Sequence, residues 1–209
     1  MGFYADHVFP RFMDWGMRQV DSLRSETLAG ARGAVLEVGF GTGLNLRHYP
    51  KAVEKVVALD PLRALEQRVS ERIAGARFPV ERVSRPADDH LPFDDGSFDC
   101  VVTTWTLCSV EEPVAALSEM RRVLRDDGVY LFIEHGRSDD PTTARWQRRL
   151  NPLQRRIAGG CRLDRPIDEL VASGGFEIRG LDRFVHDPGP RALSEMYRGH
   201  AVARPDRAG

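Results

Sequence analysis

Short apolar runs alternate along this chain with longer stretches whose apolar residues recur every three or four positions. The apolar runs begin with Val35, Leu36 and Val38, and continue with Val53 to Leu59, Phe78 to Val83, Phe98 to Val110 and Tyr130 to Glu134. Runs of this length, rich in β-branched residues, read as strands. The run from Phe98, Phe-Asp-Cys-Val-Val-Thr-Thr-Trp-Thr-Leu-Cys-Ser-Val, is apolar enough for a central strand covered on both faces, with its exit. Between the runs, Asn45 to Pro50 reads as a short helix, Leu62 to Ile73 as a second, and Glu112 to Leu124 as an amphipathic third. That third helix carries Val114, Leu117, Met120, Val123 and Leu124 on one side, and Asp126-Asp127-Gly128 stops it. Trp146, Leu150, Leu153 and Ile157 recur at helical spacing. Leu170, Val171, Phe176 and Ile178 read as a helix leading into a sixth strand, and Pro188 to Ala201 as a final antiparallel element. Upstream, Phe3 to Leu28 carries an aromatic and apolar load at roughly helical spacing, interrupted at Pro10. Strands separated by crossovers long enough for a helix predict a mostly parallel, doubly wound α/β sheet, with its ligand over the strands' C-terminal ends.

Composition narrows the partners. A chain of 209 residues suits one domain. A formal net charge of −1 gives no global reason for a nucleic-acid partner, and no basic stripe with interleaved aromatics appears. No apolar run approaches the ~18 residues of a membrane span. The start, Met-Gly-Phe-Tyr-Ala-Asp, shows no secretory pattern. Cys100, Cys108 and Cys161 lack metal-ligand spacing and read as reduced thiols of a cytoplasmic protein, with no metal expected. Arg204 to Gly209 reads as a disordered tail.

The first strand breaks at Gly39, Gly41 and Gly43, where the backbone must bend and admit a ligand without a Cβ in the way. Glu37, two residues before the first glycine, does not suit a pyrophosphate; it suits a ligand with a cationic end. Asp60 ends the second strand twenty-one residues beyond Gly39, close to the ~20 expected of an acid that accepts hydrogen bonds from ribose hydroxyls. The alternative for Asp60 is a cap on the helix that follows. Glu-x-Gly-x-Gly-x-Gly closing a first strand resembles the cofactor loop of the class I S-adenosylmethionine methyltransferases. Ala87-Asp88-Asp89-His90-Leu91-Pro92-Phe93 resembles the adenine-binding stretch of that family, with Asp88 the first choice for the adenine amino group and Asp89 the second. Many relatives have an acid where this chain has Ala87.

The resemblance implies a Rossmann-like, seven-stranded doubly wound sheet with an N-terminal helical lid. The expected parts are a lid over 1–30, a cofactor-binding core over 31–136 and an acceptor-binding part over 137–209. It implies S-adenosylmethionine as cofactor, S-adenosylhomocysteine as product, and a cofactor site of Tyr4, Glu37, Gly39, Gly41, Gly43, Asn45, Asp60, Pro61, Asp88, Asp89, Thr106 and Leu107.

The second half is similar to one branch of the methyltransferase type-11 group. Its marks are Thr-Leu-Cys-Ser-Val at Thr106, Phe-Ile-Glu-His-Gly at Phe132, Trp-Gln at Trp146, Asn-Pro at Asn151, Gly-Gly-Cys-Arg-Leu-Asp-Arg at Gly159 and Tyr-Arg-Gly-His-Ala at Tyr197. The branch resembles animal alkyl-thiol methyltransferases and bacterial phospholipid N-methyltransferase-like proteins. The resemblance implies a small, largely apolar acceptor with a thiol first in line. The alternatives are a lipid amine, a quinone or phenol, or a nucleotide-binding module without catalysis.

Because the thiolate is the nucleophile, a base helps. His135 is the candidate proton acceptor, the alternative being a histidine held by a backbone carbonyl. Glu134 is expected to orient His135 or line the pocket, and Trp146, Cys161 and Tyr197 to line the acceptor pocket, with the Trp146 helix as its roof. Cys108 reads as a packed residue, and Cys161 as a thiol with no base near it in sequence. Arg145, Arg148, Arg149, Arg155, Arg156, Arg162 and Arg165 read as a solvated helix face, with lowering of an acceptor's pKa or contact to anionic lipid head groups as the alternatives.

Overall fold

The computed structural model describes residues 20–61, 66–186 and 189–205. Seven strands form one open sheet: β1 (Gly33–Val38), β2 (Val53–Leu59), β3 (Val80–Val83), β4 (Phe98–Thr104), β5 (Leu124–His135), β6 (Phe176–Val185) and β7 (Glu195–Ala203). Their order is β3-β2-β1-β4-β5-β7-β6. β1 to β5 pair in parallel, and β7 runs antiparallel to both β5 and β6. The doubly wound sheet expected from the alternating pattern is present.

Helices α1 (Asp21–Leu28), α2 (Glu66–Ala74), α3 (Pro113–Val123), α4 (Pro141–Ile157), α5 (Ile167–Ser173) and α6 (Arg191–Ser194) flank the sheet. Successive strand residues feed opposite faces, as the pleat requires. Leu36, Val38, Val101, Tyr130 and Phe132 join Leu117, Met120 and Phe176 in one core, while Val35, Val56, Cys100 and Val102 join Leu28 and Val69 in the other. The chain leaves β1 toward β2 and β3, then returns across the sheet to β4, so a crevice opens between the C-terminal ends of β1 and β4.

Two expectations are corrected. Asn45 to Pro50 forms only a single 3-10 turn, Leu46–His48, because Pro50 forces Tyr49 into extended backbone (φ −64°, ψ 133°). Arg204 is anchored, not disordered: its N–H donates to Gly175 O at 2.9 Å and its guanidinium to Ala172 O and Phe176 O, both at 3.1 Å. The lid expected from Phe3 is described only from Val20, and Tyr4 lies outside the described residues. Among the described residues, no helix is long and apolar enough to cross a membrane.

Phe176 shows how the late elements are held. It is fully buried at the start of β6, with its ring 4.9 Å from that of Tyr130 on β5. Phe176→Ala is expected to lower the unfolding free energy by about 3–5 kcal/mol, read from urea denaturation as a lower midpoint with the slope unchanged. A midpoint equal to that of the wild type would contradict this packing.

Candidate functional site

The site is built at the crevice from the turn that follows β1. Gly39 sits at φ +77°, and a Cβ there would fall on the side chain of Thr106, so the turn presses directly against the exit of β4. Gly41 sits at φ +57° with nothing among the described residues within 4 Å of where its Cβ would stand, so this edge of the loop is open toward them. The Gly41 N–H donates to Asp60 Oδ2 at 2.7 Å, which fixes the half-buried carboxylate at the loop's tip. The Gly43 N–H donates back to Phe40 O at 3.0 Å and closes the turn. Pro61 is exposed beside Asp60.

Beneath this loop lies Glu37, 1% exposed. Asn45 Nδ2 donates to its Oε1 at 3.0 Å and the Tyr49 hydroxyl to its Oε2 at 2.8 Å. Arg24, from α1, donates to Asn45 Oδ1 at 2.6 Å and to Thr104 Oγ1 at 3.2 Å. Burial pushes the Glu37 carboxyl up to about 7 despite the Tyr49 hydrogen bond, the Arg24 charge and Asn45; the charge of Asp60 adds to the upward push. The two acids therefore sense each other across the loop. Burial lowers Arg24 to about 10, so it remains a cation at neutral pH. Its guanidinium lies 4.8 Å from the ring centroid of Trp105, whose indole N–H, like Arg24 Nε, finds no partner among the described residues.

The exit of β4 is clamped from both sides. Glu134 is fully buried; its Oε1 accepts from the Thr106 N–H at 3.1 Å and its Oε2 from the Cys108 N–H at 3.2 Å. Burial raises its pKa, and these backbone donors oppose the rise. Arg165 donates to Leu107 O and, at 2.5 Å, to Val110 O. Trp105 is held at φ 52°, the one non-glycine residue with positive φ among the described residues. Asp88 is half-buried, and its Oδ2 accepts from the Glu112 N–H at 3.2 Å, tethering the segment after β3 to the start of α3; Asp89 is exposed.

Glu37, the glycine turn, Asp60, Asn45 and Thr106 thus come together at one edge. Several other expected roles do not survive. Glu134 does not orient His135; neighbouring strand residues point to opposite faces, and its oxygens hold the loop after β4. Leu107 turns its side chain fully into the core, which leaves its backbone as the part that can flank a cofactor. Trp146, Leu153 and Ile157 are 53%, 57% and 48% exposed, so among the described residues they lie on the surface and pack over no enclosed pocket. α4 is turned by polar contacts instead: its buried Gln147 accepts from the Ser138 N–H at 2.9 Å and donates to Gly136 O at 3.0 Å. Tyr197 is a core residue, its hydroxyl donating to Arg137 O at 2.6 Å. Arg165 is buried, unlike the exposed arginines of α4.

Cys161 does have a base beside it, His135 Nδ1 at 3.8 Å from its Sγ, and Cys108 completes a cluster whose side-chain atoms all lie within 4.8 Å. No spacing along the chain signals this cluster. Arg24 and Tyr49 carry no motif signal, the one local hint being the place of Arg24 beside an apolar helical stripe, and Arg165 reads in sequence only as part of a basic helix face.

Residues 36–132 match the family model described as a methyltransferase domain. The chain is 41% identical over 161 residues to the thiol S-methyltransferase TMT1B of Homo sapiens, covering 75% of this chain and 66% of that protein. It thus spans just under two thirds of that relative. It is 32% identical over 162 residues to the phosphatidylethanolamine N-methyltransferase of Cereibacter sphaeroides, covering 76% of this chain and 78% of that one. In fold it is similar to the 1,6-didemethyltoxoflavin-N1-methyltransferase of Burkholderia thailandensis, solved with 1,6-didemethyltoxoflavin and S-adenosylhomocysteine. The TM-score is 0.66 and the identity 18%, covering 96% of this chain and 89% of that one.

Burying Glu37 gives stability a pH dependence of known sign. A carboxyl at about 7 in the fold, against 4.5 ordinarily, binds more proton folded than unfolded between those values. Its contribution to stability therefore falls as pH rises through that window, by roughly 3 kcal/mol at most, and is level above it. Urea denaturation at a series of pH values should show Glu37→Gln lacking this fall; parallel curves for variant and wild type would refute it.

Proposed function

Because this chain belongs to the class I S-adenosylmethionine-dependent methyltransferases, we propose that it transfers a methyl group from S-adenosylmethionine to a small, largely apolar acceptor, a thiol sulfur being the first choice. The observation that carries the donor half is the turn itself: its edge at Gly41 open toward the described residues, the Asp60 carboxylate pinned at its tip and the Glu37 carboxylate beneath it. These groups fit the donor. A carboxylate ending β2 suits the vicinal hydroxyls of a ribose, and a buried acid that resists ionisation gains from a nearby cation. Asp88, tethered to the start of α3, is the group we assign to the adenine amino group.

When bound, S-adenosylmethionine supplies a methyl carbon on a sulfonium, which is displaced in line by the acceptor atom. This chain's part is then to position the two and exclude water. The clamped backbone from Thr104 to Val110 supplies a fixed wall for that purpose. The thiol choice is supported by the relative at 41% identity, named for thiol S-methylation. The second reading, methylation of a lipid amine, is supported by the relative at 32% identity, named for phosphatidylethanolamine.

Incubation with S-adenosylmethionine and a panel of thiols, amines and phenols, followed by assay of S-adenosylhomocysteine, is expected to show turnover with small apolar thiols. No turnover with any thiol removes the first choice. Asp60→Ala should weaken S-adenosylhomocysteine binding at least ~10-fold in titration calorimetry, the loss expected when hydrogen bonds to a charged acceptor are removed. Tight NAD binding with no response to S-adenosylhomocysteine would overturn the enzyme reading.

A further inference from the structure

Three chain segments far apart in sequence bring two thiols and an imidazole to one point: the loop after β4 with Cys108, the end of β5 with His135, and the turn after α4 with Cys161. Both thiols are buried, while His135 is half-buried with its ring 6.5 Å from that of Trp105, so the cluster has one partly open side, next to the exit of β4. Packing accounts for two buried cysteines, since a thiol behaves as a small apolar group. It does not account for a ring nitrogen turned onto them, with His135 Nδ1 at 3.8 Å from Cys161 Sγ.

The segments are fixed in advance. Glu134 holds the Cys108 N–H, the Arg162 N–H donates to Cys108 O at 2.8 Å, the Cys161 N–H donates to Ala158 O at 3.1 Å, and the Leu163 N–H donates to Asn151 Oδ1 at 2.8 Å. Leu150, Ala158, Leu163 and Leu193 form an apolar shell around the thiols.

We propose that Cys108, His135 and Cys161 form a binding site for a thiophilic metal ion, Zn²⁺ in first place, with three protein ligands and an open fourth position. A tetrahedral zinc held by two sulfurs and a nitrogen has ligand–ligand edges of about 3.5–3.8 Å, so a small rotation of side chains already within 4.8 Å closes the site. Two thiolates and an imidazole select zinc or copper(I) over magnesium or calcium, which want oxygen ligands. Three protein ligands with a vacant fourth position is the pattern of a catalytic zinc, whereas structural zinc sites are closed by four.

The position of the cluster gives the vacancy a use, and here the inference rests on the thiol reading above. His135 ends β5 beside the β4 exit, with its ring 6.5 Å from that of Trp105. An acceptor thiol entering the fourth position loses its S–H proton to solvent as its sulfur bonds the metal, because a coordinated thiol is deprotonated outright. The sulfur's electron pair then forms the new S–C bond to the donor methyl while the donor's C–S⁺ bond breaks, giving the thioether and S-adenosylhomocysteine. In this scheme His135 is a metal ligand, not the proton acceptor.

Cobalt(II) is the test, because it reports tetrahedral thiolate ligation by colour and needs no turnover. Protein stripped of metal and titrated with Co²⁺ alone should develop a thiolate-to-cobalt charge-transfer band and intense visible bands that saturate at one ion per chain. Cys161→Ala and His135→Ala should each lose them, and a small alkyl thiol should shift the visible bands of the wild type. His135 is half-buried, so His135→Ala tests the site without emptying a core position, and S-adenosylhomocysteine binding by each variant shows that it is folded. Absence of the bands, bands unchanged in Cys161→Ala, or a Cys108–Cys161 disulfide found by mass spectrometry in the isolated protein would overturn the site. Undiminished thiol turnover by metal-free protein would also overturn it, while leaving the thiol reading standing. Cobalt bands with no turnover of any thiol would sink the thiol reading and keep the three-ligand site.

Discussion

A carboxylate shut away from water must be surrounded by donors, and in this fold Glu37 meets that demand by drawing four parts of the chain together. Asn45 and Tyr49 bond it directly, and Arg24 reaches the same Asn45 and also Thr104. One buried acid thereby ties α1 to the glycine loop and the loop to β4. Leaving any of these polar groups unpaired would carry a desolvation penalty of about 1–3 kcal/mol, more for the charged ones. The network is therefore held as a unit, and the loop above it inherits a fixed shape.

The same device recurs one strand away. Glu134 stands near the end of β5 as Glu37 stands near the end of β1, and both flank β4 in the sheet. Glu37 is satisfied by side chains and Glu134 by backbone N–H groups, so one orders the cofactor loop and the other the loop that carries Thr106 and Cys108. Arg165 completes the second clamp by binding carbonyls of the same loop. A crevice wall gains rigidity from buried acids whose oxygens are all bonded, because such groups tolerate little displacement.

The parts legible in the sequence were those written in local pattern. Strand runs, the glycine turn and Asp60 depend on neighbours a few residues away, and Val53–Leu59 is legible over its whole length because Pro50 lies just before it and Asp60-Pro61 follows it. What could not be read depends on contacts across long separations. Arg24 meets Thr104 eighty residues on, and Arg165 meets Leu107 fifty-eight residues back. No periodicity carries that information, so Arg165 looked like the other arginines of its neighbourhood. α4 failed differently: the spacing of Trp146, Leu150, Leu153 and Ile157 identifies a helix with an apolar face, but not what that face meets. Its buried side is set by Thr143, Ala144 and Gln147.

Trp105 carries one last implication. An L-residue held at φ 52° costs about 1–2 kcal/mol relative to ordinary backbone, and a bulky indole is a poor occupant of that region. It stays there because its backbone N–H donates to Ile133 O at 2.8 Å and its ring lies against Arg24. Descendants of this gene therefore face a restricted menu at residue 105: glycine or asparagine would relieve the twist yet surrender the stacked cation, while a β-branched residue would force the turn open.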